Sequence, residues 1–173
     1  MFCNQFQFMK TKINLIYIFL ILILFSCKPE AKFPVTPAIS FVKFEKIDNG
    51  TGVDDQGILT IHFEDGDGDI GLDEEDTEAP FDTSSIYYYN FFIKYLEKQN
   101  GEFVEVELPM TNNARIPRLS FDVPESIEGD ISITLYINNY SSPYDTIRFE
   151  CYIVDRELHH SNTITTPDII INK

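Results

Sequence analysis

Apolar and polar residues alternate cleanly in several segments beyond residue 38, which is the pattern of strands that bury one face. Leu59, Ile61 and Phe63 alternate with polar neighbours, and residues 131–137 do the same. Because no window keeps a 3.6-residue period, strands are expected throughout the body of the chain. The predicted strands cover residues 39–47, 58–64, 86–96, 103–108, 117–123, 131–137, 146–154 and 163–171.

Strands with one buried face need a second sheet to pack against. Seven or eight short antiparallel strands fit two packed sheets better than a closed barrel. The predicted fold is therefore an all-β, immunoglobulin- or fibronectin-like sandwich over residues 39–173. The chain has no tryptophan, which argues against an antibody-type domain. Asn100 and Gly101 between two predicted strands indicate a type I′ hairpin, since both residues tolerate positive φ.

The aromatic run at residues 87–92 (YYYNFF) is assigned to the central strand of this sandwich. Core and cross-strand packing is the favoured interpretation of so many rings. The alternative is an aromatic platform for a ligand, to which the predicted outward side chains Tyr88 and Phe92 would contribute.

The N-terminus has the pattern of a secretory signal peptide. Lys10 and Lys12 precede an apolar run over residues 13–25, and Ser26 and Cys27 follow it. Thirteen residues of helix rise only about 20 Å, which is short of the roughly 30 Å hydrocarbon core of a membrane. The ending Leu-Phe-Ser-Cys resembles the lipobox of bacterial lipoproteins. That resemblance implies cleavage after residue 26 and a lipid on Cys27.

Residues 27–38 then read as the lipidated cysteine and an extended tether, because three prolines interrupt a segment with no apolar period. Lys28 follows the cysteine directly, and the resemblance implies sorting to the outer membrane. Whether the domain lies on the periplasmic or the outer face of that membrane stays undecided.

Removal of residues 1–26 leaves 11 basic and 28 acidic side chains, a net charge of −17. Such a surface repels nucleic acid and anionic head groups. The lipid is therefore the expected contact with the membrane.

Cysteine use agrees with this organisation. Cys3 precedes or belongs to the signal and Cys27 takes the lipid, so Cys151 remains alone. It alternates with Phe149 and Ile153 on the apolar face of a predicted strand, which predicts a buried structural thiol and not a nucleophile.

Residues 64–76 (EDGDGDIGLDEED) hold eight acids in thirteen positions. Glycine lets such a loop curl, and Ca²⁺ takes six to eight oxygen ligands. The predicted calcium ligands are at positions 1, 3, 5, 9 and 12 of a calcium loop: Asp65, Asp67, Asp69, Asp73 and Asp76. Ile70 at position 6, aspartate at position 12 and the preceding strand exclude an EF-hand. The segment is similar to the DxDxDG loops that calcium-binding β-proteins carry between strands. The alternative is a solvated acidic loop whose Asp-Gly pairs make turns.

An immunoglobulin-like strand order places this segment at the same end as residues 155–162. Asp155 is therefore predicted as a further ligand, and Arg156 as a partner for carboxylates of the acidic segment. His159 and His160 are candidate transition-metal ligands, but neighbouring side chains point apart, which favours exposed polar turn residues.

The chain as a whole resembles the small lipoproteins of Bacteroidota-type bacteria. The residues behind the resemblance are FSC at 25–27, FEDGDGDIG at 63–71, KQNG at 98–101, VDR at 154–156 and SNTI at 161–164. The resemblance implies location and fold and brings no activity with it.

Enzyme motifs such as Gly-x-Ser-x-Gly and His-Glu-x-x-His are missing from the sequence. The expected function is a non-enzymatic binding or accessory module for a glycan or protein ligand. The alternatives are a structural subunit of an envelope complex with no metal and a glycan-active enzyme.

Overall fold

The structure is a computed structural model that describes residues 32–119 and 125–173. The predicted signal peptide, Cys27 and the first part of the tether lie outside these residues, as do residues 120–123 of one predicted strand. The described strands are β1 (Ala38–Lys46), β2 (Gln56–Asp65), β3 (Phe91–Gln99), β4 (Glu102–Glu105), β5 (Ile127–Tyr136), β6 (Thr146–Ile153), β7 (Ile164–Thr165) and β8 (Ile169–Ile170).

These strands form two antiparallel sheets. One sheet has the order β1-β2-β5, and the other has the order β4-β3-β6-β7 with β8 also paired to β6. The apolar faces of both sheets meet in one core, where Leu59 of β2, Phe91 of β3 and Phe149 of β6 are fully buried. The all-β sandwich is therefore confirmed, whereas its immunoglobulin or fibronectin type stays a prediction.

The hairpin prediction at Asn100 and Gly101 is confirmed. Both residues have positive φ, 53° and 96°, as a type I′ turn requires. Gln99 pairs with Glu102 on either side of the turn.

The aromatic run was predicted as one strand, and that prediction is wrong for residues 87–90. A 3-10 helix covers Ile86–Tyr88, and β3 begins only at Phe91. The hydroxyl of Ser85 accepts a hydrogen bond from the Tyr87 nitrogen at 3.0 Å, which caps the turn and competes with extension.

Two further strands are shorter than predicted. β4 ends at Glu105, and the last predicted strand is split into β7 and β8. Pro167 lies in the gap and has no N–H to donate to the ladder. The hydroxyl of Thr166 takes the place of a ladder carbonyl by accepting the Phe149 N–H at 3.0 Å.

The final residues of the predicted tether already contact the domain. Lys32 donates its backbone N–H to the Ser126 hydroxyl at 2.8 Å, and Pro37 is buried. Residues 32–37 therefore pack on the sandwich before β1 begins.

Candidate functional site

The acidic segment leaves β2 at Asp65, whose side chain is fully buried. Asp65 Oδ2 accepts a hydrogen bond from the backbone nitrogen of Asp69 at 2.9 Å, which curls the chain between them. Ile70 and Leu72 are buried directly after the curl. The loop is therefore fixed at both ends by packing, which an exposed turn would not be.

Two glycines allow other backbone segments to approach this curl. A Cβ on Gly66 would lie 2.4 Å from the carbonyl oxygen of Phe33, and one on Gly68 would lie 2.5 Å from that of Glu125. Gly68 also has φ +72°, which L-residues with side chains rarely adopt. The glycines therefore serve both the turn and the burial of the loop.

Three carboxylates converge inside the curl. One carboxylate oxygen each of Asp65, Asp67 and Asp69 lies within 4.8 Å of the other two. The Oδ1 atoms of the three residues are buried and have no hydrogen-bond partner within the described part of the chain. An ion bound at 2.3–2.6 Å from its oxygens sets oxygens on opposite sides about 5 Å apart, so the spacing suits one hard cation.

The electrostatics of the cluster are unfavourable without a cation. Burial, reinforced by the charges of Asp67 and Asp155, raises the pKa of Asp65 to about 6. Burial and the charges of Asp155, Asp67 and Asp65 raise the pKa of Asp69 to about 7. Buried like charges disfavour ionisation, and a bound cation would reverse this effect.

The connection between β6 and β7 lies beside the acidic segment, as predicted. The backbone nitrogen of Glu157 donates to Asp69 Oδ2 at 3.2 Å. The predicted pairing of Arg156 is confirmed, because its Nη2 lies 3.0 Å from Asp76 Oδ1 and its Nη1 also contacts that carboxylate.

Asp155 is buried next to the cluster, but its carboxylate is occupied. It accepts a hydrogen bond from the His159 backbone nitrogen at 2.7 Å and meets the His159 ring at 2.9 Å. It belongs to none of the groups of described residues able to hold an ion. Its negative charge nevertheless acts on Asp65 and Asp69.

Asp73 and Asp76 do not join the three converging aspartates. Arg118 Nη1 lies 3.1 Å from Asp73 Oδ2, and Asp76 is paired with Arg156. Of the five carboxylates predicted from the spacing of a calcium loop, the first three therefore lie together. The last two form ion pairs with arginines from distant parts of the chain.

Arg115 is an organising residue that the sequence analysis missed. Its guanidinium donates to the carbonyl oxygens of Asp73 at 3.0 Å, Asp76 at 2.7 Å and Tyr88 at 2.9 Å. It thereby holds the far half of the acidic segment against the 3-10 helix. No local motif surrounds Arg115, so no signal in the sequence pointed to it.

The three histidines lie outside the cluster of Asp65, Asp67 and Asp69. His160 stacks on Tyr152 with ring centroids 5.4 Å apart, while His159 is held by Asp155. A second group of potential ligands contains His62, Glu64 and Glu128 on the outer face of the first sheet. Two of its members already have partners, since His62 meets Asp130 at 2.8 Å and Glu128 pairs with Lys32.

Comparisons with protein-family models, curated proteins and solved structures found no match. Within residues 32–119 and 125–173, no helix has the length and hydropathy needed to cross a membrane.

Proposed function

We propose that this protein is a lipid-anchored, non-enzymatic binding or accessory module of the outer membrane whose acidic loop is stabilised by calcium. Two observations carry the calcium proposal: one carboxylate oxygen each of Asp65, Asp67 and Asp69 lies within 4.8 Å of the other two, and the buried Oδ1 atom of each residue has no hydrogen-bond partner among the described residues. Native proteins rarely leave buried polar atoms unsatisfied, and an ion bound among the three carboxylates would offer them the missing partner.

The ligand chemistry favours calcium over other metals. The three aspartates supply only oxygen, which suits hard cations and not zinc or copper. Magnesium holds its water shell tightly and prefers open sites with few carboxylates, whereas calcium accepts several carboxylates together with backbone carbonyls and water. Because the three Oδ1 atoms are buried, calcium fits them better.

The role proposed for the ion is structural. It neutralises Asp65, Asp67 and Asp69, and it thereby stabilises the end of the sandwich where the acidic segment meets residues 155–162. The hydrogen bond from Glu157 to Asp69 extends that effect to the β6–β7 connection.

Thermal unfolding tests the calcium proposal. Residues 32–173 contain the whole described core, so a chain that starts at residue 28 is suitable. At a calcium concentration about 100 times its dissociation constant, we expect stabilisation of about 2.7 kcal/mol relative to chelator. That corresponds to a rise in melting temperature of roughly 5–10 °C.

Two variants make the test specific. The double change Asp67→Asn and Asp69→Asn is expected to abolish the calcium-dependent rise. The matched control Asp73→Asn removes an acid that pairs with Arg118, so it should lower stability with and without calcium and keep the rise. Equal melting temperatures of the unmodified protein in calcium and in chelator would contradict the proposal.

The lipid anchor has its own test. In the native host, the full chain should fractionate with the outer membrane and incorporate labelled fatty acid. Cys27→Ser should lose the label and move to the soluble fraction. Cys3→Ser is the control and should behave like the unmodified protein.

A further inference from the structure

A groove of about 400 Å³ lies along the outer edge of β3. The chain after β4 bonds to β3 where Val106 N donates to the Tyr95 carbonyl at 3.0 Å. It returns where Ala114 N donates to the Phe91 carbonyl at 2.9 Å. Between these two hydrogen bonds, residues 107–113 form a loop that curves away from β3, and this loop is called the bow. The groove lies between the bow and β3 and extends to Tyr152 of β6. Its volume is typical of small-molecule sites.

The bow is held open by two asparagines. Asn112 exchanges two hydrogen bonds of 2.9 Å with the backbone of Tyr136 at the end of β5. The side-chain oxygen of Asn113 accepts the Ile93 N–H at 2.8 Å. Because the bow is fastened to both sheets, the groove is preformed, which reduces the ordering cost of binding a ligand.

Several backbone groups at the edge of β3 already have hydrogen-bond partners along the groove. The nitrogen of Phe91 donates to Ala114, that of Ile93 donates to Asn113, and the Tyr95 carbonyl accepts from Val106. A peptide that adds to a sheet needs these groups free. The occupant must therefore be recognised mainly by side chains.

Those side chains combine aromatic and polar surface. Phe92 and Tyr152 stack with ring centroids 4.9 Å apart and planes at 12°, and both line the groove. Met110 on the opposite wall is 57% exposed. Glu105 and Glu107 also line the groove, and Lys94 is paired with Glu105 at 3.1 Å.

We infer that this groove binds a neutral oligosaccharide. Phe92 and His160 cover the two faces of the Tyr152 ring, so a sugar ring would pack its apolar face on Phe92, and its hydroxyls would donate hydrogen bonds to carboxylates such as Glu107. The negative charge of the lining and of the whole chain disfavours anionic ligands. The inference names a ligand class for the proposed binding module and does not rest on the calcium proposal.

Titration calorimetry with a panel of neutral gluco-, manno-, xylo- and galacto-oligosaccharides tests the inference, with the chain from residue 28. We expect at least one member to bind, and Phe92→Ala and Glu107→Gln each to weaken binding about tenfold or more. Phe103→Ala is the matched control, because Phe103 lies on β4 outside the groove lining, and it should leave the affinity unchanged. Melting temperatures of all variants verify that they fold.

Several outcomes would overturn the inference. These are no binding by any panel member at about 10 mM, tighter binding of an anionic polygalacturonate than of every neutral sugar, or binding that survives both groove variants. The same titration, repeated in chelator and with the Asp67→Asn, Asp69→Asn double variant, separates the two proposals. If sugar still binds under both conditions and the unmodified protein shows no calcium-dependent shift in melting temperature, the calcium proposal is overturned and the groove is supported.

Discussion

Arg156 and Asp76 form a two-point ion pair across 80 residues of sequence, with Nη2 3.0 Å from Oδ1 and Nη1 in contact with Oδ2. Both side chains are largely buried, at 24% and 18% exposure. The pair holds the pKa of Asp76 below its usual range. It ties the β6–β7 connection to the far end of the acidic segment.

Arg156→Ala is expected to lower the free energy of unfolding by about 1–3 kcal/mol, because it removes charge-assisted hydrogen bonds from a partly buried carboxylate. Lys43→Ala is the control, since the pair of Lys43 with Glu45 is exposed and should contribute less than about 1 kcal/mol. Urea unfolding of both variants measures the difference. Equal effects would show that the Arg156 pair is no more than a surface ion pair.

The raised pKa values of Asp65 and Asp69 predict a pH dependence of stability. Both lie above the ordinary value of 3.8, at about 6 and about 7. Between pH 3.8 and about 7 the folded state therefore binds more protons at these two groups than the unfolded state does. Their contribution to the stability of the cation-free protein then falls as pH rises through this window. Asp54 and Asp76 have pKa values below 3.8 in the folded protein. Their contribution to stability is therefore lost only as the pH falls below that value, outside this window.

Melting temperatures in chelator at about pH 4.5 and pH 7.5 measure this effect, and the value at pH 4.5 should be higher. Saturating calcium should reduce or reverse the difference, because the ion favours the ionised carboxylates. The Asp67→Asn, Asp69→Asn variant should show a smaller difference in chelator. A cation-free protein that becomes more stable from pH 4.5 to 7.5 would contradict the prediction.

Gly68→Ala separates steric contact from backbone strain. Gly68 has φ +72° and its added Cβ would meet the Glu125 carbonyl at 2.5 Å, whereas Gly50 has φ +76° and open space. Both changes should cost the roughly 1–2 kcal/mol of a left-handed residue. Gly68→Ala should cost further stability and weaken the calcium response, as measured by urea unfolding and calcium titration. Equal losses of stability in both variants would mean that the loop shifts freely.

Cys151 is predicted to be inert in the folded state. It is fully buried, as the sequence pattern predicted, and burial raises the pKa of its thiol to about 12. In the chain from residue 28, which has no other cysteine, thiol reagents should react only after unfolding. Cys151→Ser should be less stable than Cys151→Ala by about 1–3 kcal/mol, since a buried hydroxyl without a partner is costly. Rapid labelling of the native protein would contradict the prediction.

Alternation of apolar and polar residues determined the main strands, because side chains on a strand point to opposite faces with a period of two. β2, β5 and β6 follow from it, and so does the buried Cys151. Asn100 and Gly101 determined a hairpin because their allowed φ values are a local property. The position of Asp65, Asp67 and Asp69 in a glycine-rich curl was equally a matter of local spacing.

Only the tertiary structure decided which charges became neighbours. The part of the acidic segment beyond Leu72 is bound by three arginines that lie 39 to 80 residues further along the chain. They are Arg115, Arg118 and Arg156, and they form hydrogen bonds and ion pairs with it. Arg115 also donates to the Tyr88 carbonyl in the aromatic run that was expected to be a strand. Periodicity is a property of a few consecutive residues, whereas these contacts depend on how distant segments pack, so the pattern alone did not contain them.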